Sequence, residues 1–459
     1  MKIFSRMFSF TLVLAIALAS PYQVSARAKP EIESRNLAHM EMFMRAQYKD
    51  LDREMNQTQD EFKKGLWDDL DLITMMSYPF DSSDADFEEK YNDWLKEYPN
   101  SYAGHQARAY YYTDKVFDDL KKRKLDQLSQ QELSEVRHYA DLAIADDKAA
   151  LKLDTKPFAT YTNLLYLYGL MGEWTKGRQM LDEANKIAPR NTAARYQYML
   201  ALAKRDRPLK EFESFIDETR KAGLDKKYLR DYDNALNWRY LEEGHYEQLD
   251  ATMNQVQKDY EVGKINDLEL SDYFTVFTRT DSKLETLYNA WVEAYPKSYA
   301  ARQVRGLYYR ELAEDVRGGK YLSQTSQQEL SGANNYLKLA FDDDMAALAL
   351  TAKPIISITQ IMAIEQLGGR HDGLDEMLKL AIKTDPKNVS ARHVYMNSLQ
   401  GRWGGSLEEM ERYLEAVKAS GMPEDHLKSM EDMIIGEKLW VAERKVDDYS
   451  AMGKLETGF

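Results

Sequence analysis

Residues 94–103 read WLKEYPNSYA, and residues 291–300 read WVEAYPKSYA. Six of the ten letters return after an interval of 197 positions. The match extends outward without a gap. Trp94–Met199 aligns with Trp291–Met396, with 43 identities in 106 positions. Gln130-Gln131-Glu132-Leu133-Ser134 returns as Gln327-Gln328-Glu329-Leu330-Ser331, and Lys156-Pro157 returns as Lys353-Pro354. Upstream, LDREMNQTQ (51–59) matches LDATMNQVQ (249–257), and downstream Gly223 matches Gly421, both at an offset of 198. The chain therefore reads as two tandem homologous copies, 48–240 and 246–437, each of domain size. An N-terminal segment (27–47) precedes them and a C-terminal tail (438–459) follows. The joint, ALNWRYLEEGHYEQLD (235–250), has no Pro/Gly/Ser-rich linker and reads as helical.

Six of the eleven prolines stand in register: Pro99, Pro157 and Pro189, then Pro296, Pro354 and Pro386. Proline does not continue a helix, so each marks a boundary. Ser101 and Ser298, two residues past Pro99 and Pro296, suit the cap of a following helix. Ser129-x-x-Glu132 and Ser326-x-x-Glu329 are capping boxes ahead of apolar periodic runs. Met180, Leu181, Ala184 and Ile187 form one helical stripe, and Met410, Leu414 and Val417 another. Gly223 and Gly421 stand where helices end in a left-handed residue, with Pro423 just beyond the second. No sustained alternation rich in Val, Ile and Thr is present. The interval from Pro157 to Pro189 is 32 residues, near the ~34 of a tetratricopeptide unit. The fold expected is all-α: a tetratricopeptide-like α-solenoid of stacked helical hairpins.

Lys2 and Arg6, the apolar run Phe8–Ala19 and Val24-Ser25-Ala26 read as a secretory signal peptide over 1–26. No later segment has the length and apolarity of a membrane span. The chain has no cysteine, which excludes a lipoprotein anchor, disulfides and thiolate chemistry. The expected location is outside the cytoplasm, periplasmic or extracellular. A net charge of −14 argues against nucleic acid, which calls for a basic footprint.

Arg305-Gly306-Leu307-Tyr308-Tyr309, Arg317-Gly318-Gly319 and Arg402-Trp403-Gly404-Gly405-Ser406 together resemble the bacterial family catalogued as domain of unknown function 4034. The resemblance spans most of 246–420, and 48–222 by way of the duplication. It implies tetratricopeptide-type helices and no particular activity. The first copy departs from it: Arg108-Ala109-Tyr110-Tyr111-Tyr112 lacks the glycine, and Arg205-Asp206-Arg207-Pro208 replaces the Arg-Trp-Gly-Gly-Ser stretch.

Four constellations are candidates for a site. Arg108, Tyr111, Tyr112 and Asp118 share about a third of a helix circumference at ~100° per residue, and Arg305, Tyr308, Tyr309 and Asp315 repeat the set. They read either as a partner-binding surface or as a helix–helix contact in which the arginine pairs with an acid. Arg402 and Trp403 lie beside two glycines, where backbone can approach a partner closely or simply widen a turn. Trp94, Trp291, Tyr98 and Tyr295 fit a groove between hairpins better than a sugar platform. Asp81, Asp84 and Asp86 lack the glycine and spacing of a calcium loop, and read as a solvated helix start. No histidine pair, phosphate loop or nucleophile motif stands out, so no cofactor, metal or catalytic residue is expected. The leading reading is a non-enzymatic protein that binds a protein or peptide. The alternative, glycan binding or processing, rests on the 12% aromatic content and 31 tyrosines.

Overall fold

In the computed structural model, residues 29–77, 84–120, 123, 125–203, 207–318, 325–368 and 373–456 are described, with side chains to 442. The signal-like segment, Asp81, Arg205, Asp206 and Gly319 lie outside them. Among the described residues every regular element is a helix. The chain divides into two compact units, 1–239 and 240–459.

The first unit comprises α1 (Pro30–Met44), α2 (Tyr48–Lys63), α3 (Asp69–Ser77), α4 (Asp86–Glu97), α5 (Tyr102–Leu120), α6 (Gln130–Ala150), α7 (Phe158–Leu170), α8 (Trp174–Ile187), α9 (Ala193–Leu202), α10 (Leu209–Lys221) and most of α11 (Lys226–Glu243), whose last residues fall in the second. The second comprises α12 (Tyr246–Glu261), α13 (Asp267–Phe274), α14 (Lys283–Ala294), α15 (Tyr299–Arg317), α16 (Gln327–Ala347), α17 (Ile355–Leu367), α18 (Leu374–Thr384), α19 (Ser390–Ser398), α20 (Leu407–Ala419) and α21 (Glu424–Glu456). Helices adjacent in sequence pack as pairs: α5 on α6, α7 on α8, α15 on α16 and α17 on α18. That is the hairpin stacking of an α-solenoid. The expected all-helical reading holds. The joint differs from a single helix: α11 stops at Glu243, Gly244 takes φ +73°, and α12 starts at Tyr246.

The repeated letters are instructions for corners. Trp94 and Trp291 are fully buried, and each indole N–H donates to an aspartate of the upstream repeated segment, Asp52 at 3.0 Å and Asp250 at 3.0 Å. Ser101 Oγ accepts the Gly104 N–H at 2.8 Å, and Ser298 Oγ accepts that of Ala301 at 3.1 Å. Asn56 and Asn254 bind these corners from α2 and α12, donating to the serine oxygen and accepting the N–H of Ala103 or Ala300. Gln59 and Gln257 donate to the carbonyls of Lys156 and Lys353 at 2.9 and 3.0 Å. LDREMNQTQ and LDATMNQVQ thus recur because they hold the later corners in place. Both capping boxes form, at Ser129–Glu132 and Ser326–Glu329. α7 and α17 are apolar around most of their circumference and are correspondingly enclosed.

Candidate functional site

The arginine–tyrosine sets are not open surfaces. Arg108 forks onto Asp146 of α6, Nε to Oδ2 at 2.7 Å and Nη2 to Oδ1 at 2.8 Å, and its third nitrogen donates to Asn92 at 2.7 Å. Arg305 repeats this with Asp343 at 2.7 and 2.8 Å and with Asn289 at 2.9 Å. Such bidentate pairs fix helix against helix. Burial raises the Asp146 pKa, but hydrogen bonds from His105 and Arg108 outweigh it and hold the carboxyl below its ordinary range. Tyr111, Tyr112, Tyr308 and Tyr309 are buried, and the hydroxyls of Tyr112 and Tyr309 donate to Glu88 and Glu285. Their rings extend core ladders, Tyr91–Tyr111–Tyr112–Tyr139 and Tyr288–Tyr308–Tyr309–Tyr336, at 5.1–6.3 Å between centroids. Asp118 and Asp315 stand exposed, away from these pairs. The helix–helix reading of these sets is the one their geometry fits. Their acid partners, Asp146 and Asp343, were visible in the sequence only as repeated aspartate pairs.

Beside each of these pairs lies a second, fully buried aspartate. Asp147 accepts from Asn163 at 2.9 Å and Asp344 from Gln303 at 3.1 Å, and each keeps one oxygen without a partner. Burial pushes both carboxyls well above the ordinary carboxylate range. Asp84 and Asp86 are exposed at the start of α4, as a solvated helix start requires.

The Arg402–Ser406 stretch is arranged differently. Gly401–Trp403 forms one 3-10 turn, Gly404 takes φ +94°, and a Cβ on Gly405 would lie 2.2 Å from the Leu399 carbonyl oxygen. The two glycines are therefore demanded by the turn itself, not by close approach of a partner. Ser406 then caps α20 through the Glu409 N–H. The turn projects Trp403, which is half-buried, between two guanidinium groups. Arg317, the last residue of α15, lies 5.5 Å from the indole centroid, and Arg402 lies 5.7 Å from it. Among the described residues neither arginine has a carboxylate within ion-pair distance, although the chain is strongly acidic. Arg402 donates to Asn397 at 3.3 Å, and Asn397 to Gln366 at 3.5 Å. The Trp403 indole N–H, the Arg317 Nε and the Gln366 Nε2 are buried donors with no acceptor. Two cations thus share one indole, and two of the unpartnered donors, the Trp403 Nε1 and the Arg317 Nε, belong to that same group. In the sequence Arg317 stands only as part of the Arg317-Gly318-Gly319 motif; its meeting with Trp403 depends on how α15 lies beside the turn before α20.

Residues 210–379 match the family model for Domain of unknown function (DUF4034), and this segment of the chain belongs to that family. The matched segment holds Arg305–Tyr309 and Arg317–Gly319 but ends before Arg402–Ser406, so the last of the three resembling motifs falls outside it. It also begins within α10 of the first unit, earlier than the resemblance placed it. No curated protein matches the chain.

Proposed function

We propose, for a chain that carries a DUF4034 domain, that it is an exported, non-enzymatic interaction protein. It binds a protein or peptide partner through the second unit, with an acidic side chain of that partner at Arg317, Trp403 and Arg402. The observation that carries this reading is the pair of guanidinium groups on one half-exposed indole, with no carboxylate of the described residues to neutralise them. An arginine pair supplies planar, bidentate recognition of a carboxylate, and a tryptophan at its centre supplies the contact area typical of an interface anchor. The glycan reading loses its main motive, because the repeated tyrosines are placed in core ladders.

The test is a photo-crosslinking residue at exposed Glu408, just past the turn, compared with one at exposed Asp118, in cells that produce the full chain. A partner captured from 408 and not from 118 supports the reading. Trp403→Ala should weaken that capture by about 2 kcal/mol, the lower edge of anchor effects. Capture that is equal from both positions, or indifferent to Trp403→Ala, refutes it.

A further inference from the structure

The duplication exposes a second difference, in the opposite sense and independent of Trp403. In the second unit the corner after α18 is latched to α12. Tyr260 donates its hydroxyl to Asp385 Oδ2 at 2.9 Å, and the Lys353 ammonium lies 5.6 Å from the Tyr260 ring centroid. The equivalent positions in the first unit are Phe62, Ala188 and Lys156. Phenol hydroxyl and carboxylate are both gone, while the lysine remains. Arg190 stands where the second unit has Lys387, and Trp67 where it has Ile265.

Where the latch is missing, the first unit has a cleft of about 440 Å³, with Phe62, Trp67, Ile187 and Ala188 among its apolar walls and Lys156 and Arg190 among its polar ones. Among the described residues neither Lys156 nor Arg190 forms an ion pair. The other charged groups of the lining are occupied. Lys63 pairs with Asp60 and Asp154, Asp68 accepts the Asp71 N–H, and Asp69 accepts the N–H groups of Thr192 and Ala193. The volume lies within the range of small-molecule sites, which combine apolar walls with a few placed polar groups.

We infer that this cleft takes an aromatic carboxylate, whose ring packs against Phe62 and Trp67 and whose carboxylate takes the place that Asp385 fills in the second unit, beside Lys156 and Arg190. The second unit fills this place with the Asp385 carboxylate on the Tyr260 hydroxyl, beside a lysine that lies on the Tyr260 ring; the first has neither the phenol nor the carboxylate and keeps the lysine. The same chemistry can arrive as a free acid or as the C-terminal residue of a peptide.

Calorimetric titration of the full chain with indole-3-acetate, indole-3-acetamide and the peptide Gly-Gly-Trp tests the assignment. Saturable binding of the acid, the peptide or both supports it and identifies the carrier. The amide should bind about tenfold more weakly or worse, the factor expected for one lost charge-assisted hydrogen bond. Phe62→Tyr combined with Ala188→Asp rebuilds the latch of the second unit and should abolish binding, with helicity by circular dichroism unchanged. Lys156→Met, at an exposed position, should weaken binding about tenfold in its own right. Absence of binding by both carboxylates at millimolar concentration overturns the inference. So does an affinity that survives either set of substitutions, or an amide that binds as well as the acid.

Discussion

Single side chains carry unusual weight at the repeated corners. Trp94 and Trp291 are each fully buried and satisfy their one polar atom on Asp52 or Asp250. Trp94→Ala should cost about 3–5 kcal/mol, the range for large-to-small changes in a core, and chemical denaturation measures it. Asp147 and Asp344 act in the opposite direction. Each is enclosed with its native pKa well above the ordinary range, so the folded chain holds a proton that the unfolded chain releases near pH ~3.9. Because the native state binds more protons, this contribution to stability falls as pH rises above about 4 and through the native titration. Asp147→Asn and Asp344→Asn keep the shape and cannot ionise. Their melting temperatures relative to the parent chain should rise between pH 5 and pH 8. A difference that does not change with pH would show that these carboxyls are not linked to folding in this range.

At the scale of the helix, the two capping boxes are the clearest sequence signals with a measurable consequence. Ser129 and Ser326 each accept the N–H of the glutamate three residues on, and that glutamate reaches back to the serine N–H. Ser129→Ala and Ser326→Ala should each destabilise by about 1 kcal/mol in thermal melts and leave partner capture intact. Lost capture with unchanged melting would make the serines part of a site. The Gly404–Gly405 turn shows the limit of reading glycines from sequence. A tryptophan beside two glycines is compatible with backbone open to a partner or with a widened turn, and at Gly405 the Leu399 carbonyl fills the space a Cβ would need. The indole lies there between its arginines, beside the exposed backbone of Gly404.

At the scale of the whole molecule the two units repeat the same corner contacts and differ in their candidate sites. The second unit carries the Arg317–Trp403–Arg402 sandwich, and the first carries the cleft that opens where Tyr260 and Asp385 have no counterpart. Sites that share no residue respond to substitution independently. Trp403→Ala should therefore leave binding of indole-3-acetate unchanged, and Phe62→Tyr with Ala188→Asp should leave partner capture unchanged. Calorimetry and crosslinking on both variants and on their combination check this. A combined effect that departs from the sum of the separate ones would join the two functions.

The sequence by itself determined the helical class and the corners, whose letters it spells twice. Prolines, capping serines and apolar stripes act over a few residues, where chain stereochemistry alone decides the outcome. It also marked Trp403 as the point where the copies part. Only the tertiary structure decided what the repeated arginines do. Arg108 reaches Asp146 across 38 positions and Arg305 reaches Asp343 across 38, so the same letters are compatible with an open surface until α6 and α16 are laid against them. It likewise brought Arg317 to Trp403 and removed a latch at Phe62 and Ala188, residues that look unremarkable one at a time. Contacts of this kind depend on which helix faces meet, and pairing between distant segments leaves no periodic trace along a single chain.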